Sequence, residues 1–525
     1  MNALRVLYHL ARADFLERVR RYSFLITLGL TLFLGYAIAS GQLTLVVGQQ
    51  YRGTLNSAWV GGLMAAMVNF FLGLFGFYLV KGSVSRDYET GVGQIMASTP
   101  LKRPLYMLGK WASNFAVLSV MLVILMAVAA PMQMLYREDP IIQWRALLTP
   151  FLGLALPFMA FTAALAVLFE TIAWLRGGAG NVFYFFFFIM VVTALSAAVW
   201  LGASPALDLM GMGILSRSMG QAAQAVYPNY DGGFRITWLV PQFQIFRWDG
   251  IDWTPEIVLS RLALIFVSIG IAALSALFFD RFAPARSQPS RRMENASDSP
   301  APAPALEAAP RSNLVLTPLP AARARFRFDA LFAAELKLLL KGQRWWWYLI
   351  AAGLLLAQLC APLKSVHSLL IASWLWHLLR LSKLGCRETV YNTRQMIFSA
   401  PRPLANQLPA AWLSAFAVTA LLGSGALMRF LLAGETFSLF GWLTGALFIP
   451  SLALALGALT GSSKAFEALY VLWMYLLSQK VPAFDFIGLT PQSPLSAYVL
   501  LSLLLLCLTV LARQRQSTNK SVWGQ

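Results

Sequence analysis

Ala58-Trp-Val-Gly-Gly-Leu-Met-Ala-Ala-Met-Val-Asn-Phe-Phe-Leu-Gly-Leu-Phe-Gly-Phe-Tyr-Leu-Val80 carries no charged residue. It is followed at once by Lys81-Gly-Ser-Val-Ser-Arg-Asp-Tyr-Glu-Thr-Gly-Val-Gly-Gln-Ile-Met-Ala-Ser-Thr-Pro-Leu-Lys-Arg103, after which apolar residues resume. A helix needs about 20 mostly apolar residues to cross a hydrocarbon core, because backbone groups in lipid must find their partners inside the helix. The first stretch meets that length, and the second reads as a polar hairpin returning the chain to the bilayer.

Working outward, runs of the same kind recur at 22–40, 105–130, 146–169, 181–203, 257–279, 345–362, 366–382, 408–431, 437–459, 465–481 and 494–511. With 58–80 they predict an all-α polytopic membrane protein of about twelve transmembrane helices. Composition agrees: 58% of the 525 residues are hydrophobic and 12% charged, against about 25% charged in soluble domains. The net charge of +19 needs no nucleic acid, since cytoplasmic loops accumulate Lys and Arg. Placing the N-terminus inside puts Arg5, Arg12, Arg18, Lys81, Arg86, Lys102, Arg103, Lys383, Arg387 and Arg513 on one side. That side is the cytoplasm of an inner-membrane protein with both termini cytoplasmic. Ala37-Ile-Ala39 resembles a signal-peptide cleavage site, but the apolar run before it is at the upper limit for such a segment. A retained anchor is expected.

Residues 284–322 are rich in Pro, Ala and Ser and poor in aromatics, a composition that cannot bury enough surface to fold. They read as a disordered cytoplasmic linker between a first permease half, 1–283, and a second, 323–525. Sliding the chain by 301 positions matches Arg86 with Arg387, Gln94 with Gln395, Ser98 with Ser399, Pro100 with Pro401, Trp111 with Trp412 and Phe115 with Phe416. An internal repeat of six spans follows. An even span number keeps both halves in one orientation, so a pseudo-two-fold axis along the membrane normal is expected to relate two six-helix halves. Each half opens with an amphipathic segment, 3–20 or 327–341, suited to the inner surface.

The hairpin is the most informative segment. Arg86, Asp87 and Glu89 are strongly polar groups at a membrane exit, available for charge-assisted contacts with a soluble partner. Gly91 and Gly93 permit a tight turn. Gln94 to Ser98 forms a helical turn presenting Ile95 and Met96, Pro100 ends it, and Arg103 sits at headgroup depth. The pattern Arg-x-x-Glu-x-Gly, a short helix, Pro-x-x-Arg and then Gly109-Lys110 resembles the ABC-2 class of exporter permeases. The resemblance implies that this segment is a coupling helix docked into a separate ABC ATPase subunit, present in two copies. In the second copy Arg387, Glu388, Gln395 and Pro401 hold corresponding positions. Val390 replaces Glu89, Asn392 replaces Gly91, Leu404 replaces Arg103, and Ala410-Ala411 replaces Gly109-Lys110. The second hairpin is therefore expected to dock less strongly.

No Gly-x-x-x-x-Gly-Lys-Ser/Thr sequence is present to cradle ATP, and no His or Cys spacing fits a metal site. The chain is expected to have no cofactor and no catalytic residue of its own. Glu170, Arg176, Lys464 and Glu467 fall near span ends, where snorkelling lowers their cost. The reading is a permease coupling ATP hydrolysis on a partner chain to export of a hydrophobic or amphiphilic substrate. The rivals are an ion-coupled secondary transporter and a membrane scaffold that moves nothing.

Overall fold

The computed structural model describes residues 3–20, 22–39, 43–48, 50–136, 138–139, 141–228, 230, 232, 234–238, 244–279, 327–391, 393–399 and 402–518. The proposed linker 284–322 lies outside them. Helix dominates, and eight helices among the described residues are long and apolar enough to cross a membrane: Ser57–Tyr88, Arg103–Leu135, Trp144–Thr171, Gly178–Trp200, Pro255–Phe278, Leu404–Leu422, Thr436–Thr460 and Leu495–Gln516. This is the build of a polytopic helical membrane protein.

The remaining expected spans coincide with shorter helices. Tyr22–Ala39 has 18 residues, Trp345–Cys360 has 16, Leu363–Trp376 has 14 and Lys464–Ser478 has 15. At 1.5 Å per residue these reach roughly 21–27 Å, short of the ~30 Å core. Among the described residues, eight helices thus have the length and composition of a crossing, and the other four expected spans fall on these shorter helices. The shortening has local causes. Pro362 ends one helix and N-caps the next, and Gly423 divides the expected span 408–431 into Pro403–Leu422 and Ser424–Ala433.

Beside the helices stands a small sheet of four short strands. Leu43–Val47 pairs antiparallel with both Tyr51–Gly53 and Phe234–Trp238, and Tyr51–Gly53 pairs parallel with Gln244–Phe246. The β-rich run Leu-Thr-Leu-Val-Val suits a strand. The described residues between the fourth and fifth of the eight long helices include the helix Met212–Val226 and two strands of this sheet, which also includes Leu43–Val47 and Tyr51–Gly53. The sheet lies at the start of the helix that begins at Ser57, where Trp59 meets the edges of Phe246 and Trp248. The far end of that helix leads into the first hairpin.

Both halves pack in the same order around the hairpins. Ala3–Val19 lies along Arg103–Tyr136, and Phe328–Leu340 lies along Pro403–Leu422. Leu156–Thr171 packs on Pro255–Leu274, as Thr436–Thr460 does on Leu495–Thr518. Trp111 stacks on Phe115 with ring centroids 5.6 Å apart, and Trp412 stacks on Phe416 at 5.6 Å.

Candidate functional site

The first hairpin begins where helix stops. Lys81 is extended and Gly82 takes φ +116°, a conformation that glycine enters without steric cost. A new helix, Ser83–Glu89, then starts with its first N–H groups unpaired by the helix itself. The Glu170 carboxylate accepts them: Gly82 N at 2.6 Å, Ser83 N at 2.9 Å, Val84 N at 2.6 Å and Ser85 N at 3.0 Å, with the Ser83 hydroxyl at 3.1 Å. Negative charge is favoured at a helix N-terminus. Glu170 is fully buried, so it is an anchor, not the snorkelling group expected from its place near a span end.

Gly91 supplies the turn at φ +74°, and Val92–Ala97 forms the second limb. Polar groups on the first limb face inward. Asp87 is buried, accepting from the Tyr106 hydroxyl at 2.6 Å and pairing with Lys110 Nζ at 2.7 Å. The same ammonium pairs with Asp14 at 2.7 Å, and Arg86 pairs with Glu17. The expected availability of Arg86 and Asp87 to a soluble partner is therefore corrected. They bind the hairpin to the N-terminal helix and to the helix that follows. Burying a carboxylate is costly without a cation, and Lys110 meets that requirement for two of them.

Apolar side chains are among those that point outward. Ile95 is 69% exposed, Val92 and Gln94 are exposed, and so are Pro100 and Arg103. Met96, expected beside Ile95 on the presenting face, instead packs against the cluster of Val84, Tyr106, Met107 and Phe279. The helical period separates the two side chains by about 100°. The side chain of Glu89 lies outside the described residues.

The second hairpin repeats the clasp with altered chemistry. Arg387 pairs with Glu335 at 2.9 Å. Burial pushes the Glu335 carboxyl above its ordinary range, against the pull of Arg387. Glu388, 301 positions after Asp87, is buried; it accepts from Gln407 Nε2 at 3.1 Å, 301 after Tyr106. Lys110 is matched by Ala411, and the cation comes instead from Arg513, whose Nη2 reaches Glu388 at 2.7 Å. Met396, 301 after Ile95, is 74% exposed. Pro401 and the side chain of Gln395 lie outside the described residues.

A polar seam joins the two halves beneath the first hairpin. Lys81 Nζ donates to Leu175 O at 2.9 Å and to Asn181 Oδ1, and the Asn181 amide donates to the buried Glu467. Lys464 donates to the Lys81 carbonyl. Lys464 and Glu467, also read as groups near a span end, thus face the other half of the chain. Sequence reasoning did not find the roles of Glu170, Tyr106 or Arg513. The spacing of 301 pairs Tyr106 with Gln407, two dissimilar residues whose common partner only the fold reveals. Among the described residues no cluster of His, Cys, Asp or Glu is arranged to hold a metal ion. Set against known protein families, curated proteins and solved structures, the chain matches none of them.

Proposed function

We propose that this chain is the membrane permease of an ATP-driven exporter of the ATP-binding-cassette type. Two pseudo-two-fold-related halves, twelve crossings in all, enclose one path through the inner membrane, with both termini in the cytoplasm. Two copies of a separate ATPase dock on the hairpins, and the cargo is hydrophobic or amphiphilic. The observation that carries this reading is the pair of hairpins: each is clasped at its base by a buried carboxylate and each exposes large apolar side chains, Val92 and Ile95 in the first and Val390, Tyr391 and Met396 in the second. A rigid base with an exposed apolar tip suits a lever driven from outside the bilayer, because force applied at the tip reaches the spans through the clasp rather than bending the loop.

Purification in mild detergent is expected to bring down a P-loop ATPase. Ile95→Asp together with Met396→Asp changes only exposed side chains, so the permease should fold normally. Export and permease-stimulated ATPase activity are expected to fall at least ~10-fold, since burying an unpaired carboxylate in an apolar groove costs several kcal/mol. Undiminished stimulation in the double variant, or the lack of any ATPase partner, removes the proposal.

A further inference from the structure

The second hairpin lacks the cation that holds the first. At the position of Lys110 stands Ala411, whose methyl group cannot neutralise Glu388. Beside Glu388 lies a crevice of about 20 Å³ bordered by Glu388, Phe398, Gln407, Ala411 and Arg513. That is room for about one water molecule. Into this gap reaches Arg513, from the end of the last helix, Leu495–Thr518.

Arg513 touches the hairpin at three points. Its Nη2 donates to Gly385 O at 3.0 Å and to Glu388 at 2.7 Å, both on the entering side, and its guanidinium lies 6.0 Å from the Phe398 ring centroid on the returning limb. The residue is 5% exposed. The last helix of the first half leads to Phe279, which stacks 5.2 Å from Tyr106, the residue that donates to Asp87. So the first hairpin takes its cation from the helix that follows it in the chain, and the second takes its cation from a helix about one hundred residues further on.

We infer that Arg513 is a positioning residue of the second hairpin, fixing it to the C-terminal helix in place of the missing lysine. Movement of that hairpin is then shared with Leu495–Thr518 and with Thr436–Thr460, against which the last helix packs. Movement of the first hairpin is delivered to Arg103–Tyr136 through Asp87 and to Leu156–Thr171 through Glu170. The two halves accept force along different helices. The positioning itself is a property of the permease alone, while its effect on transport rests on the coupling role proposed above.

Hydrogen–deuterium exchange on the full chain, with and without its ATPase, separates the two. R513A is expected to speed exchange at 387–399 by at least ~10-fold while 86–98 stays as it was. R513K, which keeps charge but not the forked donor, is expected to give a smaller increase of about threefold. The double variant R513A/A411K rebuilds the arrangement of the first half, and slow exchange should return. A merely structural role for Arg513 predicts loosening that A411K cannot repair, and unchanged exchange at 387–399 in R513K and R513A alike overturns the inference outright. If R513A does not fold, A411K alone in the R513K background gives the same decision. Where 387–399 loosens as expected yet ATPase stimulation is intact, the positioning stands and the coupling reading of the second hairpin falls.

Discussion

The two hairpins reach one geometry by opposite means. In the first, a buried carboxylate does the anchoring: Glu170 closes the N-terminus of Ser83–Glu89 by accepting four backbone N–H groups. The helix that carries it has a counterpart in the second half. Trp111 donates to Ala160 O at 3.0 Å and Trp412 to Ser451 Oγ at 3.0 Å, which sets the two helices 291 positions apart. The same offset puts Gly461 where Glu170 stands, so the second half has no such carboxylate. There the N–H groups of Leu384, Cys386 and Val390 are met by local carbonyls of Leu381, Lys383 and Cys386. The anchoring is done by close packing, with Gly385 against Gly457 and the Leu454 carbonyl. A carboxylate fixes the entry to the first hairpin, and a close glycine contact fixes the entry to the second beside its Arg387–Glu335 and Arg513–Glu388 pairs. A carboxylate anchor fails when its charge is removed, whereas a glycine contact fails when a methyl group is added.

The largest expected effect breaks the first anchor. Glu170→Ala strands four buried or half-buried backbone donors. Removing one member of such a buried charged network costs about 3–5 kcal/mol. The thermal midpoint of the detergent-solubilised protein should fall steeply, and exchange at 82–90 should rise more than anywhere in the second half. Gly461→Ala at the matched position meets only Thr389 at 3.6 Å but must adopt φ +65°, at a cost of about 1 kcal/mol. Should the two variants lose equal stability, the contrast between the anchors is wrong.

Next in size is the second anchor. A Cβ on Gly385 would lie 2.3 Å from the Leu454 carbonyl oxygen and 2.7 Å from the Ala458 nitrogen, both backbone atoms that cannot swing aside. Overpacking of this kind costs about 1–3 kcal/mol. In the first half the residue 301 positions earlier is Val84, which is buried with its whole side chain in place. Gly385→Ala should therefore lower thermal stability and speed exchange at 387–399, while Val84→Ile changes the first hairpin little. A silent Gly385→Ala would show that the two helices can part there without loss, and the second base would then rest on the Arg513, Gln407 and Glu335 contacts.

How much of this could be read beforehand depends on the kind of signal. The apolar runs were legible because lipid imposes a length and a composition, and every expected span coincides with helix. The hairpins were legible through Gly91, whose positive φ the turn requires, and through identities 301 apart such as Trp111 and Trp412, whose stacking on Phe115 and Phe416 recurs in the fold. The direction in which Asp87 and Glu388 face was not. A charged residue at a span end is usually solvated, and its burial here follows from Lys110 and Arg513, one of which has no counterpart at the matched position. Glu170 left no trace for a different reason: its partners are backbone N–H groups, which every sequence possesses. The strand 43–47 left no trace because a five-residue aliphatic run carries too short a pattern, and its partner Phe234–Trp238 lies far along the chain.

The smallest expected effect tests whether the eroded copy still makes the same turn. Gly91 sits at φ +74° with nothing within 4 Å of where a Cβ would be, so a substitution there is felt only through the backbone. Alanine in the left-handed region costs about 1 kcal/mol, because its Cβ crowds the neighbouring carbonyl oxygen. Asparagine enters that region several-fold more readily than other residues with a side chain, its amide bonding locally to the backbone. The second hairpin carries Asn392 at this position. Gly91→Asn should therefore cost less than half of what Gly91→Ala costs, read as thermal midpoint and as exchange at 86–98, and leave ATPase stimulation near normal. That ordering means Asn392 is a permitted variant of one turn, and the weaker docking expected of the second hairpin must come from Val390 and Leu404 instead. The reverse ordering, with Asn as costly as Ala, means the first turn depends on glycine for more than its φ, and the two hairpins then part company at the turn as well as at the base.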